Sequence, residues 1–406
     1  MTSDGFRKQL WRQLRRRLPA PVSELTGSQL ADHLVFAVEA SCNLWPTLVH
    51  HLEQHRFCVV IVSPLATCHA RPAKSGNFSR TDSKDAFLIA DLARQGTFHE
   101  RLTYSPEQEA LHRLGITYDK LRKSLQRHYA RLRAQLEILF PEFLQVLHLD
   151  TLTARHLLRR YLLPEEYLAL DLDREADRLM EVSRRQHGRE TLLKLQALAR
   201  QSIGVPQFEP EGAAQRRTAD AWLALIDALD TQIRAVTSDL VSLSKMTPYH
   251  APLTSLKGIS DLLAALFLAE LRDPSRFPLP KQIERLAGYN LHVSDSGTYR
   301  GRRRVSHLGN NRLRWILYQM ASETSKYVPE VRTKYLRRRL RGHVNRKKNI
   351  VASIPQLLAL LVALMREDRL YMEDAARIDE VRRLEEELRR SRAPRRLSRR
   401  ITSSCA

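Results

Sequence analysis

The chain has 406 residues and carries 67 Lys and Arg against 45 Asp and Glu, a formal charge of +22. That length predicts two or three domains with at least one real core. The charge predicts a polyanionic partner, because clustered Lys and Arg release counterions from nucleic acid. The longest apolar runs, LLAALFLA and LLALLVALM, fall short of a bilayer's thickness, so no membrane partner is expected.

In chain order, the opening GFRKQLWRQLRRRLPAP is basic but lacks the apolar core of a secretory signal. Its Leu10, Leu14 and Leu18 repeat every four residues, which predicts a surface helix rather than a transit peptide. HLVFAVEA and FCVVIVSP are short β-rich runs on either side of a helical LWPTLVHHLEQH. Strand, helix, strand in that order predicts parallel pairing in an α/β domain. The helix of SRTDSKDAFLIADLARQG follows.

From Pro106 to Met246 the spacing predicts long helices and no strand. Leu121, Leu125, Tyr129, Leu132, Leu136 and Leu139 make one apolar stripe. Trp222, Leu225, Leu229, Ile233, Val236, Leu240 and Leu243 make another. The two stripes fit an antiparallel pair, a dimerising coiled coil, or the ordinary core faces of a helical domain.

The zone after Pro252 also reads as helical, punctuated by Gly258, Gly288, Gly297, Gly301 and Gly309. Within it, Arg300 to Lys348 holds 16 Lys and Arg and two acids, Glu323 and Glu330, interleaved with aromatic residues able to stack on bases. Beyond Asp374 a charge-dense helix runs into a basic tail. The expected divisions are thus 1–105, 106–250, 251–373 and 374–406.

Asp82 and Asp85, one helical turn apart, share a face and can converge on a hard cation. Read alone they equally serve helix capping and the helix dipole. Glu39, at the end of an apolar strand, adds a third carboxylate where open α/β sheets place functional groups. Three such acids fit a Mg²⁺ site, which would reverse the local sign and admit phosphate.

LKGISDLLAALFLAEL has the form of half a helix-hairpin-helix element, whose helix-start amides grip phosphate, or of a plain helix-turn-helix core. Ser296 stands beside Gly297 in a predicted loop near Arg300, Arg302, Arg303 and Arg304, so its hydroxyl can serve as a nucleophile on phosphorus, or the segment is simply a phosphate-binding turn. Arg312 and Arg314 extend this predicted nucleic-acid surface. The four cysteines show no disulfide pattern, which fits a reducing cytoplasm.

Taken together, VFAVEASCNLW, VVIVSPLATCHAR, SRTDSKDAFLIADLARQG, LTSLKGISDLLAALFLAEL, RFPLPKQIERLAGYN, SDSG and HLGNNRLRWILYQMA resemble, in content and order, the DEDD transposases of the insertion sequence 110 family. The resemblance runs from about Val35 to Tyr371. It implies an α/β plus all-α protein: an incomplete RNase H-like (RuvC-like) domain, a long helical or coiled-coil middle, and a helical C-terminal domain carrying the serine. On the family pattern the metal-binding acids fall on Glu39, Asp82 and Asp85, and the nucleophile on Ser296. Implied with these are Mg²⁺, DNA as element ends and target, a guide RNA from the element, and a homo-oligomer at the nucleoid of a bacterial cytoplasm.

The sequence departs from the pattern in one important place. The family's first Asp stands on an opening strand well before the Glu, whereas the residues ahead of Glu39 read as a basic helix and loop, with neither Asp4 nor Asp32 suitably placed. The expectation is a truncated chain or a late start, with activity severely impaired. Smaller departures are Ser260, where the family favours Gly, and GYNLHV, where a Pro is commoner. Three readings follow: a serine-using recombinase, an inactive remnant that only binds nucleic acid, and a helical RNA- or DNA-binding scaffold.

Overall fold

Strand alternation sets the architecture of the first part of the chain. In the computed structural model, which describes residues 34–41, 44–74, 81–208, 210–292, 295–296, 299–300, 304–306 and 308–392, β1 (Val35–Glu39) is joined through α1 (Trp45–Gln54) to β2 (Cys58–Val62). The two strands pair in parallel, with Ala37 opposite Val60 and Glu39 opposite Val62, as the sequence predicts. Then follow α2 (Pro64–Lys74), α3 (Asp82–Arg94) and β3 (His99–Glu100), which closes the sheet antiparallel to β2. The basic N-terminal segment, with Asp4 and Asp32, lies outside the described residues.

Successive side chains of β1 point to opposite faces. Phe36 and Val38 pack with Val49 and Leu52 of α1. Ala37 faces the other way, into a cluster with Ala66 and Ala70 of α2 and Leu88 and Leu92 of α3. Glu39, two residues beyond Ala37, therefore stands on the face covered by α2 and α3.

Contacts divide the chain after Thr103. The second unit is helical: α4 (Pro106–Leu139), α5 (Phe143–Val146), α6 (Leu152–Leu158), α7 (Pro164–Ala169), α8 (Leu172–Val182), α9 (Arg189–Ala199), α10 (Glu211–Lys245), α11 (His250–Thr254), α12 (Asp261–Leu271) and α13 (Pro280–Leu286). Four two-residue strands come next, β4 (Leu291–His292), β5 (Asp295–Ser296), β6 (Tyr299–Arg300) and β7 (Arg304–Val305). The described chain ends with α14 (Asn311–Tyr327), α15 (Pro329–Leu340), α16 (Arg346–Val351), α17 (Ile354–Glu367) and α18 (Ala375–Arg392).

The start of α4 is written in SPEQ: Ser105 Oγ accepts from the Gln108 amide at 3.3 Å and Gln108 Oε1 accepts from the Ser105 amide at 3.0 Å, a reciprocal cap with Pro106 at the first turn. α4 and α10 lie antiparallel within the one chain. Leu111, near the start of α4, shares a core with Leu240, near the end of α10. At the other end Gln135 Nε2 donates to the Gln215 carbonyl at 2.8 Å. Along α10 the predicted stripe holds from Leu229 to Leu243, with Ile233 and Leu240 buried, but the buried face at the helix start differs from the one predicted. It runs through Ala219, Leu223 and Ile226, while Leu225 is 43% exposed and Trp222 turns to His128 and Arg131 of α4.

Two cores share these helices. One gathers Leu132, Leu136, Phe140, Phe143 and Tyr167 with Leu223 and Ile226. The other gathers Leu111 and Leu240 with Phe267, Leu317 and Leu361. LLAALFLA becomes α12, whose Ala264 to Leu271 are all buried, as expected of a helix apolar all round.

The stretch Arg346–Glu367, 22 residues over α16 and α17, is long and apolar enough for a membrane span by length and composition, contrary to the sequence expectation. In this fold its Leu357, Leu358, Leu361 and Leu364 are fully buried core residues. α18 lies on α15 largely through charge: Arg332 pairs with Glu385 at 2.7 Å, and Arg337 with Glu380.

α4 passes close to α12 at Gly115, where an added Cβ would sit 2.9 Å from Ala269 Cβ. Gly115→Val must push the helices apart, with a loss of about 1–3 kcal/mol expected. Urea denaturation checks this, and an unchanged midpoint would show that the approach is slack.

Candidate active site and nucleic-acid interface

In the first unit two of the three predicted acids are bonded to side chains of one helix, α2. Glu39, at the C-terminal end of β1, accepts through Oε1 from Thr67 Oγ1 of α2 at 2.7 Å. One turn further along α2, Arg71 donates from Nη2 to Asp85 Oδ1 of α3 at 3.0 Å and from Nε at 3.2 Å. Thr67 and Arg71, four residues apart on one helix face, thus link the strand acid to the helix acid. The pair is half-buried, with Arg71 28% and Asp85 35% exposed.

Asp82 is exposed in the first turn of α3 and shares that turn with Asp85, where both favour the helix dipole. Neither acid caps the helix. The N-cap is Thr81, which makes no side-chain capping bond. Among the described residues no three His, Cys, Asp or Glu converge as a metal-binding group.

Ser296 does not stand in an open loop, as the sequence predicts, but has its backbone in β5, paired antiparallel with Tyr299 of β6. The β4–β7 pair, Leu291 opposite Val305 and His292 opposite Arg304, encloses that ribbon. The side chains of Ser296, Arg300 and Arg304, and all of Arg302 and Arg303, lie outside the described residues.

The base of this excursion is fastened tightly. Tyr289 donates its hydroxyl to the Arg314 carbonyl at 2.8 Å. The Ser306 amide donates to the Asn290 carbonyl at 2.9 Å, and Arg314 Nε to the Ala287 carbonyl at 2.9 Å. Gly309 is required there, since a Cβ would meet the Leu286 carbonyl oxygen at 2.5 Å.

Arg312 and Arg314 prove to be structural as much as electrostatic. Arg312 Nε donates to Glu270 Oε1 at 2.7 Å, and that carboxylate, only 2% exposed, also takes a bond from Asn310. A buried carboxylate requires such partners. The Gly258 turn, with φ +102°, packs on the Glu323–Thr324 backbone of α14, where a Cβ would come within 3.1 Å. The α12 start it feeds is capped by Ser260 and carries Asp261, bonded to Lys245 at 2.9 Å, so this turn has the character of a core joint.

Thr67 and Arg71 were missed in the sequence. The available signal was their spacing of four in the helix that leaves β2.

Two measurements check these contacts. In a double-mutant cycle, Arg71→Ala and Asp85→Ala should couple by about 0.5–1 kcal/mol in unfolding free energy, the range of a part-exposed pair; no coupling would show that the bond is absent in solution. Burial pushes the Tyr289 phenol up to about 12 from its ordinary 10. The folded protein keeps a proton that the unfolded chain loses, so this contribution is complete below pH 10 and fades as the pH rises from 10 to 12. Tyr289→Phe should lower stability by about 1 kcal/mol at neutral pH and flatten that alkaline limb.

Residues 250–336 match the family described as Transposase IS116/IS110/IS902, and residues 14–141 match a DEDD transposase family named for IS110. The chain is also similar to an uncharacterized 43.6 kDa protein of insertion element IS110 from Streptomyces coelicolor, 26% identical over 297 residues that cover 72% of each chain. With one match in each half, in the same order as the motifs, and a relative from insertion element IS110, the chain belongs to the IS110 family of transposases.

Proposed function

We propose that this transposase is a DNA recombinase that cuts and exchanges strands at the ends of an insertion element and at a target. In this reading a guide RNA directs it, and it works as a homo-oligomer at the bacterial nucleoid, since joining two duplexes needs at least two active sites. The first unit is taken as a RuvC-like, RNase H-type domain. The observation that carries the reading is the run from Glu39 through Thr67 and Arg71 to Asp85, which links a strand-end acid to the Asp-bearing turn on one face of a parallel strand pair.

The family uses a divalent metal in general, and Mg²⁺ is the ion proposed here. As arranged, the described residues do not fit it: Thr67 bonds Glu39, Arg71 is paired with Asp85, and no third ligand joins them. No step is therefore assigned to the ion.

Ser296 is the proposed nucleophile. Its Oγ forms a bond to a backbone phosphorus as the bond from that phosphorus to a deoxyribose oxygen breaks, and the proton given up by the serine hydroxyl is balanced by the one the departing oxygen takes up as it leaves as a hydroxyl. A hydroxyl from another strand then attacks the phosphoserine and restores the serine. Each step exchanges one phosphate ester for another, so no nucleotide need be hydrolysed. The tethered ribbon supports this role, because a nucleophile is effective only when held in place.

The test is strand exchange with element-end and target DNA, guide RNA and Mg²⁺. Denaturing gels should show a protein–DNA adduct that Ser296→Ala abolishes while DNA affinity stays within about threefold. An adduct that survives Ser296→Ala would remove the serine from the mechanism. A wild-type chain that binds DNA but forms no adduct would favour a protein that only binds.

A further inference from the structure

A cleft of about 270 Å³ opens between α4 and α14, floored by α12. Trp315 of α14, 50% exposed, and Tyr118 of α4 line it, with Arg122 and Lys123 at the rim. Both acids in its lining are already matched. Asp119 bonds Lys123 at 2.7 Å, and Glu270 is closed by Arg312 and Asn310. Arg122 has no ion-pair partner among the described residues, nor have Lys120 and Arg127 on the adjoining surface of α4.

We propose that this cleft takes one unstacked nucleobase of a single-stranded nucleic acid, its ring on Trp315 and its flanking phosphates on Arg122 and the neighbouring basic side chains of α4. The inference rests on the nucleic-acid reading above and names a subsite for it. The half-exposed indole offers a flat face at the mouth of a basic cleft, and aromatic faces of this kind carry single-strand binding. The volume suits a base rather than a larger organic ligand. Unmatched positive charge beside the ring, with the acids neutralised, selects a ligand that pairs a planar ring with anions on both sides. DNA and RNA share this chemistry, and the sugar decides between them.

Full-length protein is titrated with labelled oligothymidylate, oligouridylate and a DNA duplex, following anisotropy. Trp315→Ala should weaken binding of the single strands about tenfold and leave the duplex within about threefold, while Trp315→Phe, which keeps a ring, should stay near wild type. Arg122→Ala should lower the salt slope on single strands by about 0.7. Whichever single strand binds more tightly to the wild type, and loses more on Trp315→Ala, identifies the sugar. Wild-type single-strand binding that neither Trp315→Ala nor Arg122→Ala alters would overturn the cleft and leave the recombinase reading standing. A wild type that binds no nucleic acid at low salt would overturn both.

Discussion

The helical unit depends on the antiparallel pairing of α4 and α10, of 34 and 35 residues. Helices of that length expose far more apolar surface than propensity alone can stabilise, so each needs the other's stripe. The register is the same at both ends, Leu111 with Leu240 and Gln135 with Gln215. Because both cores draw on the same two helices, one cannot slide on the other without breaking both. Close packing at Gly115 then fixes how deeply α12 sits, and with it the floor of the Trp315 cleft. The stability of the core and the shape of that surface are set by one constraint.

Charge is organised in the same economical way. A formal +22 suggests a surface covered in free cations, yet many guanidinium groups are engaged inside the fold. Arg312 neutralises the buried Glu270, Arg155 reaches Asp230 at 2.6 Å, and Arg332 and Arg337 of α15 hold α18. Losing a partner of a buried carboxylate leaves it uncompensated, at a cost well above that of a surface pair. The density of Lys and Arg in the sequence therefore overstates the interface at some positions. Removing Arg312 would disturb the joint between α12 and α14 before it disturbed any phosphate contact.

The parts of the fold that were legible in the sequence are those whose pattern repeats several times. β1 and β2 are five-residue apolar runs, and their parallel pairing follows from the helix between them. α4 was readable from its stripe, to which the structure adds the reciprocal cap at Ser105 and Gln108. On α10 the stripe from Leu229 to Leu243 was legible, but at the helix start the face was displaced, because a run of apolar residues around Trp222 supports two adjacent stripes, and only the partner helix chooses Leu223 and Ile226 over Leu225. The ribbon around Ser296 was not readable at all: two-residue strands have no period, and they are held by bonds at their base, from Tyr289, Asn290 and Ser306. Thr67 and Arg71 gave no signal as single residues, since their role comes from the strand and helix that α2 happens to touch.

The arrangement at Asp85 shows how the first unit accommodates a half-buried carboxylate. A carboxylate taken partly out of water is kept ionised by a positive group beside it. Here α2 supplies one, and its rise of one turn between Thr67 and Arg71 delivers a hydroxyl to Glu39 and a guanidinium to Asp85 together. The helix behaves as a spacer with a charge built in. Any cation that is to sit among these acids must first displace that guanidinium or share Asp85 with it, so the position of α2 governs the electrostatics of the whole group.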